Sequence, residues 1–301
     1  MKRIAILRCG QLPSFITWDV PNFDELFAED KLLQRGFEAQ GIEADIVVWN
    51  DPHIDWSNYD VALIRSTWDY FDHKDLFLEV LSQIETSTCK LYNSLEAVRW
   101  NMDKHYMLDL EKWDVPIIPT HLASKLGVDE IRKIFVNRGW QTAVIKPTIG
   151  LAGSYTHKVN LGELEGIARK LQLDHPGQEF IIQPFIESVV DEGEWSFIYF
   201  NGELSHVLLK KPAPDDYRVQ GIYGGTIQSA EPRPEDLVQA EGVMAKLPFD
   251  ILQARLDFVR VDGRLSIIEV ELIEPILSFN LVPDGIGRLV HATRAKYEMD
   301  D

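Results

Sequence analysis

The sequence predicts a mixed α/β and α+β protein, in which an open parallel layer is followed by a small α+β subdomain and an antiparallel-sheet subdomain. Three observations predict this class. Apolar strands alternate with helical repeats up to residue 95, a strand and a glycine turn lie within 116–187, and two hairpins with Asn-Gly and Asp-Gly turns lie within 188–301. A chain of 301 residues is long enough for several cores, so a ligand cleft between subdomains is expected.

The N-terminal domain is predicted over residues 1–95. Its strands are expected at 4–7, 45–49 and 61–65, and its helices at 24–40 and 73–84. This alternation is typical of a small Rossmann-like layer. The first strand is followed by Arg8-Cys9-Gly10-Gln11, which lacks the G-x-G-x-x-G pattern, so no dinucleotide site is expected there.

The rest of the chain is predicted to contain a connecting helix, a lid subdomain and a larger C-terminal subdomain. The connecting helix is expected over 96–115, after the capping residue Ser94. The subdomain at 116–187 should contain strands at 143–147 and 179–186, a glycine turn at 150–154 and a helix at 161–171. The subdomain at 188–301 should begin with a hairpin, 195–200 and 203–210, and continue with an irregular loop, 212–234, and a helix, 234–246.

Composition excludes several classes of protein. The formal net charge of −18 argues against a nucleic-acid surface, which needs clustered Lys and Arg. The two cysteines are too few for a metal cluster or a disulfide framework. No apolar run approaches the roughly 20 residues that span a bilayer, and the chain starts directly with a strand, so we expect a cytoplasmic protein without membrane partners. A homodimer is compatible with the sequence.

The second hairpin carries three acidic residues whose placement depends on the turn. A two-residue Asp-Gly turn would mix charged and apolar side chains on both faces. A three-residue loop over 262–264 instead pairs Asp257 with Glu269 and Arg255 with Glu271. This register predicts Val259 and Ile267 beside the charged patch. It places the following side chains on the opposite, core-facing side: Leu256, Phe258, Ile268 and Val270.

Carboxylates gathered this closely repel one another unless a positive charge lies between them. Mg²⁺ suits this position, because it prefers one or two carboxylates together with phosphate oxygens and water. The predicted metal ligands are Asp257, Glu269 and Glu271. The alternative interpretation is an ordinary cross-strand salt bridge between Arg255 and Glu271.

A lysine near a glycine turn indicates an anion site. Lys146 ends an apolar strand and precedes Gly150 and Gly153 by a few residues. A buried lysine needs an anion, and a glycine turn exposes backbone N–H groups to one, so phosphate fits both features. The turn is not a P-loop, and no protein-kinase motif accompanies it. The alternative is an ordinary turn in a hairpin.

The order and spacing of these residues resemble the ATP-grasp superfamily over essentially the whole chain. The matching positions are Lys104, Lys146, the loop from Gly150 to Ser154, Gln183-Pro184-Phe185-Ile186, Glu194, Arg255, Asp257, Glu269 and Glu271. The chain is most similar to the glutathione synthetase and RimK-type ligases. Two segments resemble the branch that contains the cycloserine-forming ligase, namely Arg65-Ser66-Thr67-Trp68-Asp69-Tyr70 and Glu271-Leu272-Ile273-Glu274-Pro275.

The resemblance implies an ATP-grasp fold with a small lid and a catalytic subdomain, and ATP with Mg²⁺ or Mn²⁺ as cofactors. It implies that phosphates are bound by Lys104, Lys146, Gly150, Gly153 and Ser154, adenine by Gln183, Phe185 and Ile186, and ribose by Glu194. Asp257 and Glu269 match metal ligands, and Arg255 matches the cation that stabilises the transferred phosphoryl group or the oxyanion. The family commonly has Glu-x-Asn where this chain has Glu269-Val270-Glu271, so Glu271 is predicted either to bind metal or to hold Arg255.

The implied reaction activates a small, amino-acid-like carboxylate as an acyl phosphate and joins it to an amine, between two molecules or by cyclisation. Arg218, in the glycine-containing loop, is a second candidate catalytic cation, with a solvated loop arginine as the alternative. Arg65, Trp68 and Asp69 follow a strand of the first domain and are assigned to substrate, with packing by Trp68 as the alternative. Two other functions remain open: a nucleotide-binding regulatory protein and a small-molecule kinase.

Overall fold

The computed structural model describes residues 1–16, 26–125, 127–151 and 153–300. Its first layer is a parallel sheet of order β2-β1-β3-β4. The elements are β1 (Arg3–Arg8), α1 (Ala28–Glu38), β2 (Glu43–Val48), β3 (Val61–Ile64), α2 (Lys74–Thr86) and β4 (Lys90–Tyr92), with short 3₁₀ segments at Trp56–Asn58 and Trp68–Phe71. The predicted open α/β layer is confirmed, and β4 was not predicted. The start of the helix predicted over 24–40 lies outside the described residues.

Continuous apolar runs explain why this sheet is covered on both faces. Ile4 and Ile6 pack with Leu33 and Phe37 of α1, whereas Ala5 and Leu7 belong to a second core that contains residues of α2. A strand buried on both sides is expected to be apolar at successive positions, as in 4–7. Polar side chains therefore concentrate where the strands end.

The connection between the first and second sheets is two short helices, α3 (Leu95–Asn101) and α4 (Tyr106–Lys112). Ser94 caps α3 as predicted, because its hydroxyl accepts a hydrogen bond from the backbone N–H of Ala97 at 3.3 Å. The single helix predicted over 96–115 is wrong. The chain breaks before α4, where the N–H of Lys104 donates to the carbonyl of Thr148 at 2.8 Å instead of to a helical carbonyl. This break places Lys104 against the second sheet.

The second sheet is antiparallel, with order β5-β8-β6-β7 and two helices. Its elements are β5 (His121–Ala123), α5 (Val128–Arg138), β6 (Thr142–Pro147), β7 (His157–Asn160), α6 (Leu164–Asp174) and β8 (Phe180–Pro184). The predicted strands and helix correspond to β6, β8 and α6, whereas β5, β7 and α5 were missed. Ile131 and Phe135 of α5 and Leu164 and Leu171 of α6 share one core with β6 and β8, so the other face of the sheet remains open to a cleft.

The third sheet is antiparallel and has the order β11-β10-β9-β12-β13. Its region contains α7 (Ser188–Asp191), β9 (Glu194–Phe200), β10 (Glu203–Lys211), β11 (Thr226–Ser229), α8 (Pro234–Met244), β12 (Gln253–Val261), β13 (Arg264–Glu271) and α9 (Asp284–Asp300). The loop predicted over 212–234 is wrong in part, because β11 pairs with β10 and a 3₁₀ turn spans Gly221–Tyr223. Leu289 and Val290 of α9 pack in the same core as α1 and β1.

The β12–β13 hairpin has the predicted charge pairs but not the predicted turn. The turn is Asp262-Gly263 alone, with φ of 48° and 81°, and it pairs Val261 with Arg264. Both positions of such a turn require positive φ, which Asp tolerates and Gly adopts freely. A β-bulge between Asp257 and Phe258 then absorbs one residue and restores the pair of Asp257 with Glu269.

The same bulge reverses the predicted faces of two isoleucines. Ile267 belongs to the core with Phe258, whereas Ile268 lies beside Val259 on the cleft side. The core-facing prediction therefore holds for Leu256, Phe258 and Val270 and is wrong for Ile268. Sequence alternation alone could not locate the bulge, because both residues at 267–268 are isoleucine.

The described part of the chain contains no helix that is both long and apolar enough to cross a bilayer.

Candidate active site

A cleft of about 850 Å³, including its open mouth, separates the second and third sheets. Every residue predicted to bind ATP lines it: Lys104, Lys146, Gly150, Gly153, Ser154, Gln183, Phe185, Ile186 and Glu194. Glu269 and Arg218 line it as well.

One end of the cleft combines two lysines with the glycine turn. Burial lowers the pKa of Lys146, which lies on β6 near its end, and the charge of Glu269 opposes this effect. The ammonium of Lys104 donates to the carbonyl of Gly150 at 3.0 Å and lies 3.1 Å from Glu269. Gly153 has a φ of 69°, and a Cβ there would lie 3.3 Å from the Gln220 side chain, so glycine suits the close approach of the two loops.

The hydroxyl of Ser154 is buried and has no hydrogen-bond partner among the described residues. It lies on the same turn and faces the cleft. A buried hydroxyl without a partner is uncommon, so this group is suited to bind an incoming phosphate oxygen. The two lysines, the turn and this hydroxyl together form a polyanion site.

The other end of the cleft is an aromatic and apolar slot. The edge of Tyr217 contacts Phe185 at a centroid distance of 5.9 Å, and the Lys158 ammonium lies 3.4 Å from the Phe185 ring centre. Gln183 is held by a bond from its amide nitrogen to the Thr120 hydroxyl at 2.9 Å. Further apolar walls come from both sheets, at Ile118, Val144, Val189, Val219, Val259 and Ile268. A flat heterocycle fits such a slot.

The predicted carboxylate patch lies on β12 and β13. Asp257, Glu269 and Glu271 can each bring one oxygen within 4.8 Å of the others. Three oxygen donors at this spacing fit Mg²⁺ or Mn²⁺, so the residues present suit the implied metal. The patch also contains Arg255, which donates to Asp257 at 2.9 Å and to Glu271. The two roles predicted for Glu271 are therefore both available to it.

Local charges set the ionisation of the patch. Burial opposes ionisation of Asp257, but Arg255 and Lys210 lower its pKa to about 2. Burial likewise opposes ionisation of Glu269, and Lys104 and Lys146 lower its pKa below the ordinary value. Burial raises the pKa of Glu271 to about 7 against the opposing effect of Arg255. Two carboxylates are thus held ionised, and the third loses its proton near neutral pH.

The sequence analysis missed Lys210, which connects the two hairpins. Its ammonium lies 2.9 Å from Glu194 and 3.2 Å from Asp257. The Asn201-Gly202 turn was predicted, and a regular register from it would place Leu209 opposite Glu194. A bulge between Leu204 and His206 shifts the pairing by one residue and brings Lys210 opposite Glu194.

The second candidate cation, Arg218, lines the cleft but is paired within its own loop. Its guanidinium donates to Asp216 at 2.8 Å and lies 3.6 Å from the ring centre of Tyr223. The hydrogen bond from Arg218 lowers the pKa of Asp216 to about 2. Any other anion that binds Arg218 would therefore compete with Asp216 for its charge.

The residues predicted to bind substrate lie at the carboxyl end of the first sheet and outside the cleft. Arg65 is 3% exposed and donates to Gln253 at 2.8 Å and to Glu29 at 3.2 Å. Asp69 is 1% exposed and accepts a hydrogen bond from the indole of Trp49.

Trp68 is half-buried and stacks on Phe27 at 5.4 Å. The structure thus gives Arg65, Trp68 and Asp69 partners within the protein. Arg65 and Asp69 do not present a free charge at the surface of the first sheet.

Comparison with known proteins supports the fold and the family. The N-terminal domain model of D-cycloserine synthetase DcsG matches residues 4–93. The cycloserine biosynthesis protein DcsG of Streptomyces lavendulae is 29% identical over 280 residues, which cover 86% of this chain and 91% of that protein.

Two solved structures share the fold over nearly their whole length. The crystal structure of D-cycloserine synthetase DcsG superposes with a TM-score of 0.83 at 24% identity, covering 98% of this chain and 99% of that one. A RimK domain ATP-grasp protein from Sphaerobacter thermophilus superposes with a TM-score of 0.69 at 16% identity, covering 96% and 98%. The predicted mixed fold is confirmed. The chain is thus similar in sequence to DcsG and shares the fold of these ATP-grasp structures.

Proposed function

We propose that this enzyme uses ATP to convert a small, amino-acid-like carboxylate into an acyl phosphate and then joins the acyl group to an amine. The nucleophile belongs either to a second molecule or to the same molecule, which would then cyclise. The observation that carries the proposal is the cleft itself, in which a polyanion site lies beside Glu269, one of three carboxylates that form a patch with Arg255 and Lys210.

ATP is proposed to lie with its adenine in the slot at Phe185 and its phosphates between Lys104, Lys146 and the glycine turn. Glu194 lines the same cleft and is proposed to bind the ribose hydroxyls. Asp257, Glu269 and Glu271 would hold Mg²⁺, which supplies charge neutralisation between phosphate oxygens when bound. Phosphoryl transfer needs mainly positioning and cancelled charge, and the lysines supply both.

Arg255 is proposed to stabilise the oxyanion that forms when the amine attacks the acyl phosphate. Its guanidinium is positioned by Asp257 and Glu271. Its Nη1 also donates to the carbonyl of Ile276 at 3.3 Å, so the group is fixed from two sides. A preorganised donor of this kind lowers the barrier without reorganising during the reaction. Arg218 is a second candidate once it leaves Asp216.

The substrate is proposed to lie between Arg255 and the carboxyl end of the first sheet, where Trp68 can form part of the wall. Arg65 would act through Glu29, whose carboxylate accepts hydrogen bonds from the backbone N–H groups of Leu277 and Phe279 at 3.0 and 3.2 Å. The structure thus favours a positioning role for Arg65 over direct binding of a substrate carboxylate. Asp69 remains a candidate for an ammonium group, with Trp49 as its present partner.

The test is a phosphate-release screen of the purified enzyme with ATP, Mg²⁺ and pairs of amino acids, followed by hydroxylamine trapping. The proposal expects ADP and phosphate to form with a particular acid, and a hydroxamate of that acid to accumulate when hydroxylamine replaces the amine. A stable phosphorylated product without hydroxamate would identify a kinase. Nucleotide binding without any ADP formation across the panel would identify a regulatory protein.

A further inference from the structure

Glu274 is a buried carboxyl that the site described above does not use. It lies on the loop that follows β13, three residues after Glu271, and it is 9% exposed. Its Oε1 accepts a hydrogen bond from the Tyr70 hydroxyl at 3.2 Å, and its Oε2 is buried without a partner among the described residues. A buried carboxyl oxygen without a partner is costly and calls for a functional explanation.

The loop that carries Glu274 is held on both sides. Asn93 donates from its amide nitrogen to the carbonyls of Leu272 and Gln253, both at 2.7 Å. Farther along, the backbone of residues 276–279 is bound by Arg255 and Glu29. Glu274 is therefore positioned by the first sheet and the third sheet together, which is the arrangement that a preorganised catalytic group requires.

Four groups determine the charge state of Glu274. Burial raises its pKa to about 8, and the negative charge of Glu271 adds to that effect. The hydrogen bond from Tyr70 and the charges of Lys104 and Arg255 oppose it. A carboxyl of this kind exchanges protons with an amine much more readily than an ordinary glutamate, because the two pKa values are close.

We propose that Glu274 receives the amino group of the nucleophile and takes up its proton before amide formation. The inference rests on the proposed ligase function. Arg255, the proposed oxyanion cation, donates to Ile276 on the same loop, so the acyl carbon and Glu274 would share one neighbourhood.

Two protons leave the amine nitrogen in the proposed step. The Glu274 carboxylate removes one proton from the substrate ammonium and leaves a neutral amine. The amine nitrogen forms a bond to the acyl carbon, the bond from that carbon to the phosphate oxygen breaks, and the phosphate leaves with the electron pair. The second nitrogen proton leaves with the phosphate, and Glu274 returns its proton to solvent before the next turnover.

The first measurement needs no substrate. Infrared difference spectra of the wild type and Glu274→Gln should show a carboxylic acid band in the wild type at about pH 6 that disappears by about pH 10. Glu271 and Asp30 also hold protons near this pH in both proteins, so the signal of Glu274 is the acid band that remains in the wild-type-minus-variant difference. The variant should retain the wild-type fold, because glutamine matches the protonated carboxyl in shape and charge. Absence of an acid band from this difference at pH 6 would overturn the proposal.

The second measurement uses the acid found by the phosphate-release screen. Glu274→Gln should ligate the amine about 10²- to 10⁴-fold more slowly, the range of a lost acid–base group. It should still form the hydroxamate at nearly the wild-type rate, because hydroxylamine is mostly uncharged at neutral pH and needs no proton acceptor. Glu274→Asp should recover part of the amine reaction. In the wild type the rate with the amine should rise with pH and level off near pH 8, whereas in Glu274→Gln it should continue to rise above pH 8, because only amine already deprotonated in solution can then react.

Equal losses with hydroxylamine and with the amine would show a structural role and overturn the proposal, as would full retention of both. Failure of the wild type to form any hydroxamate would refute the ligase function itself, and the amine role with it. If only the proposed role of Glu274 were wrong, the wild type would still form the hydroxamate. The two outcomes are therefore distinguishable.

Discussion

Two groups of buried charges in this molecule differ in how they are balanced. Beside the cleft between the second and third sheets, the carboxylates of Asp257 and Glu269 lie against lysine and arginine side chains, and their pKa values are lowered. At the carboxyl end of the first sheet, burial raises the pKa of Asp30 to about 6 and raises that of Asp69, and the charge of Arg65 only partly offsets this for Asp30.

This difference has a chemical meaning. A site in which Asp257 and Glu269 stay ionised and cations lie close by is prepared for a divalent cation and a polyphosphate. Buried carboxyls without enough neighbouring cations gain from a ligand that brings a positive charge, such as an ammonium group, because that charge stabilises their ionised form. The two halves of the proposed reaction, activation of the acid and capture of the amine, thus correspond to two electrostatic environments.

The largest expected effect is on Arg255, which belongs to the cleft. Arg255→Ala should lower kcat by about 10²- to 10³-fold, the usual range for loss of an oxyanion donor. The KM for ATP should change little, because the lysines bind the phosphates. Steady-state kinetics with the identified acid and amine measure both quantities. A large increase in the KM for ATP with an unchanged kcat would assign Arg255 to nucleotide binding.

Lys146 and Arg65 form a matched pair, since Lys146 is a half-buried cation, Arg65 is a buried cation, and they belong to the two different environments. Lys146→Ala should weaken ATP binding by about 10- to 100-fold, the range for loss of a hydrogen bond to a charged group. Arg65→Ala should leave ATP affinity nearly unchanged and lower the melting temperature, because Glu29 and Gln253 each lose a buried hydrogen-bond donor. Calorimetric titration with ATP and a thermal melt measure the two effects. Equal loss of ATP affinity in both variants would contradict the separation of the two environments.

Glu271 belongs to the carboxylate patch but differs from Asp257 and Glu269, because its pKa is raised. As a metal ligand, Glu271→Asn should retain substantial activity and change, by several fold, the Mg²⁺ concentration that gives half the maximal rate. A residue that only orients Arg255 should leave that concentration unchanged and lower kcat. Rates measured against Mg²⁺ for the wild type and the variant separate the two. We expect the Mg²⁺ concentration that gives half the maximal rate to change in the variant.

The smallest expected effect is on stability against pH. The raised pKa of Glu274 means that the folded protein holds a proton that the unfolded chain has lost between about pH 4.5 and 8. This group therefore lowers stability progressively as pH rises through that interval and has no further effect above it. Glu274→Gln should remove this contribution, so the melting temperature of the variant relative to the wild type should increase from pH 5 to pH 8. A constant difference across these pH values would contradict the raised pKa.

Much of the candidate site could be predicted from the sequence, because the residues proposed to bind ligand occupy distinctive positions. Lys146 is a charge at the end of an apolar strand, and Gly153 is a glycine in a turn, so each is recognisable without tertiary information. The nine residues predicted to bind ATP, from Lys104 to Glu194 along the chain, all line the cleft. The pairs of Asp257 with Glu269 and of Arg255 with Glu271 were also correct.

The remainder depended on bulges and on buried tertiary contacts. One bulge in each hairpin shifts the register by one residue, which exposes Ile268 to the cleft and brings Lys210 to Glu194. A bulge has no simple sequence signal unless glycine marks it, so neither shift could be predicted. The contact of Arg65 with Gln253 joins positions 188 residues apart, and no local pattern reveals it. The position of a charge was predictable here, whereas its partner often was not.

The central claim is that nucleotide and metal bind in the cleft between the second and third sheets. A crystal structure with Mg²⁺ and a non-hydrolysable ATP analogue tests it most directly. We predict adenine beside Phe185, phosphates at Lys104 and Lys146, and Mg²⁺ bound by Asp257 and Glu269. Adenine at the first sheet near Gly10, or phosphates remote from the carboxylate patch, would contradict it.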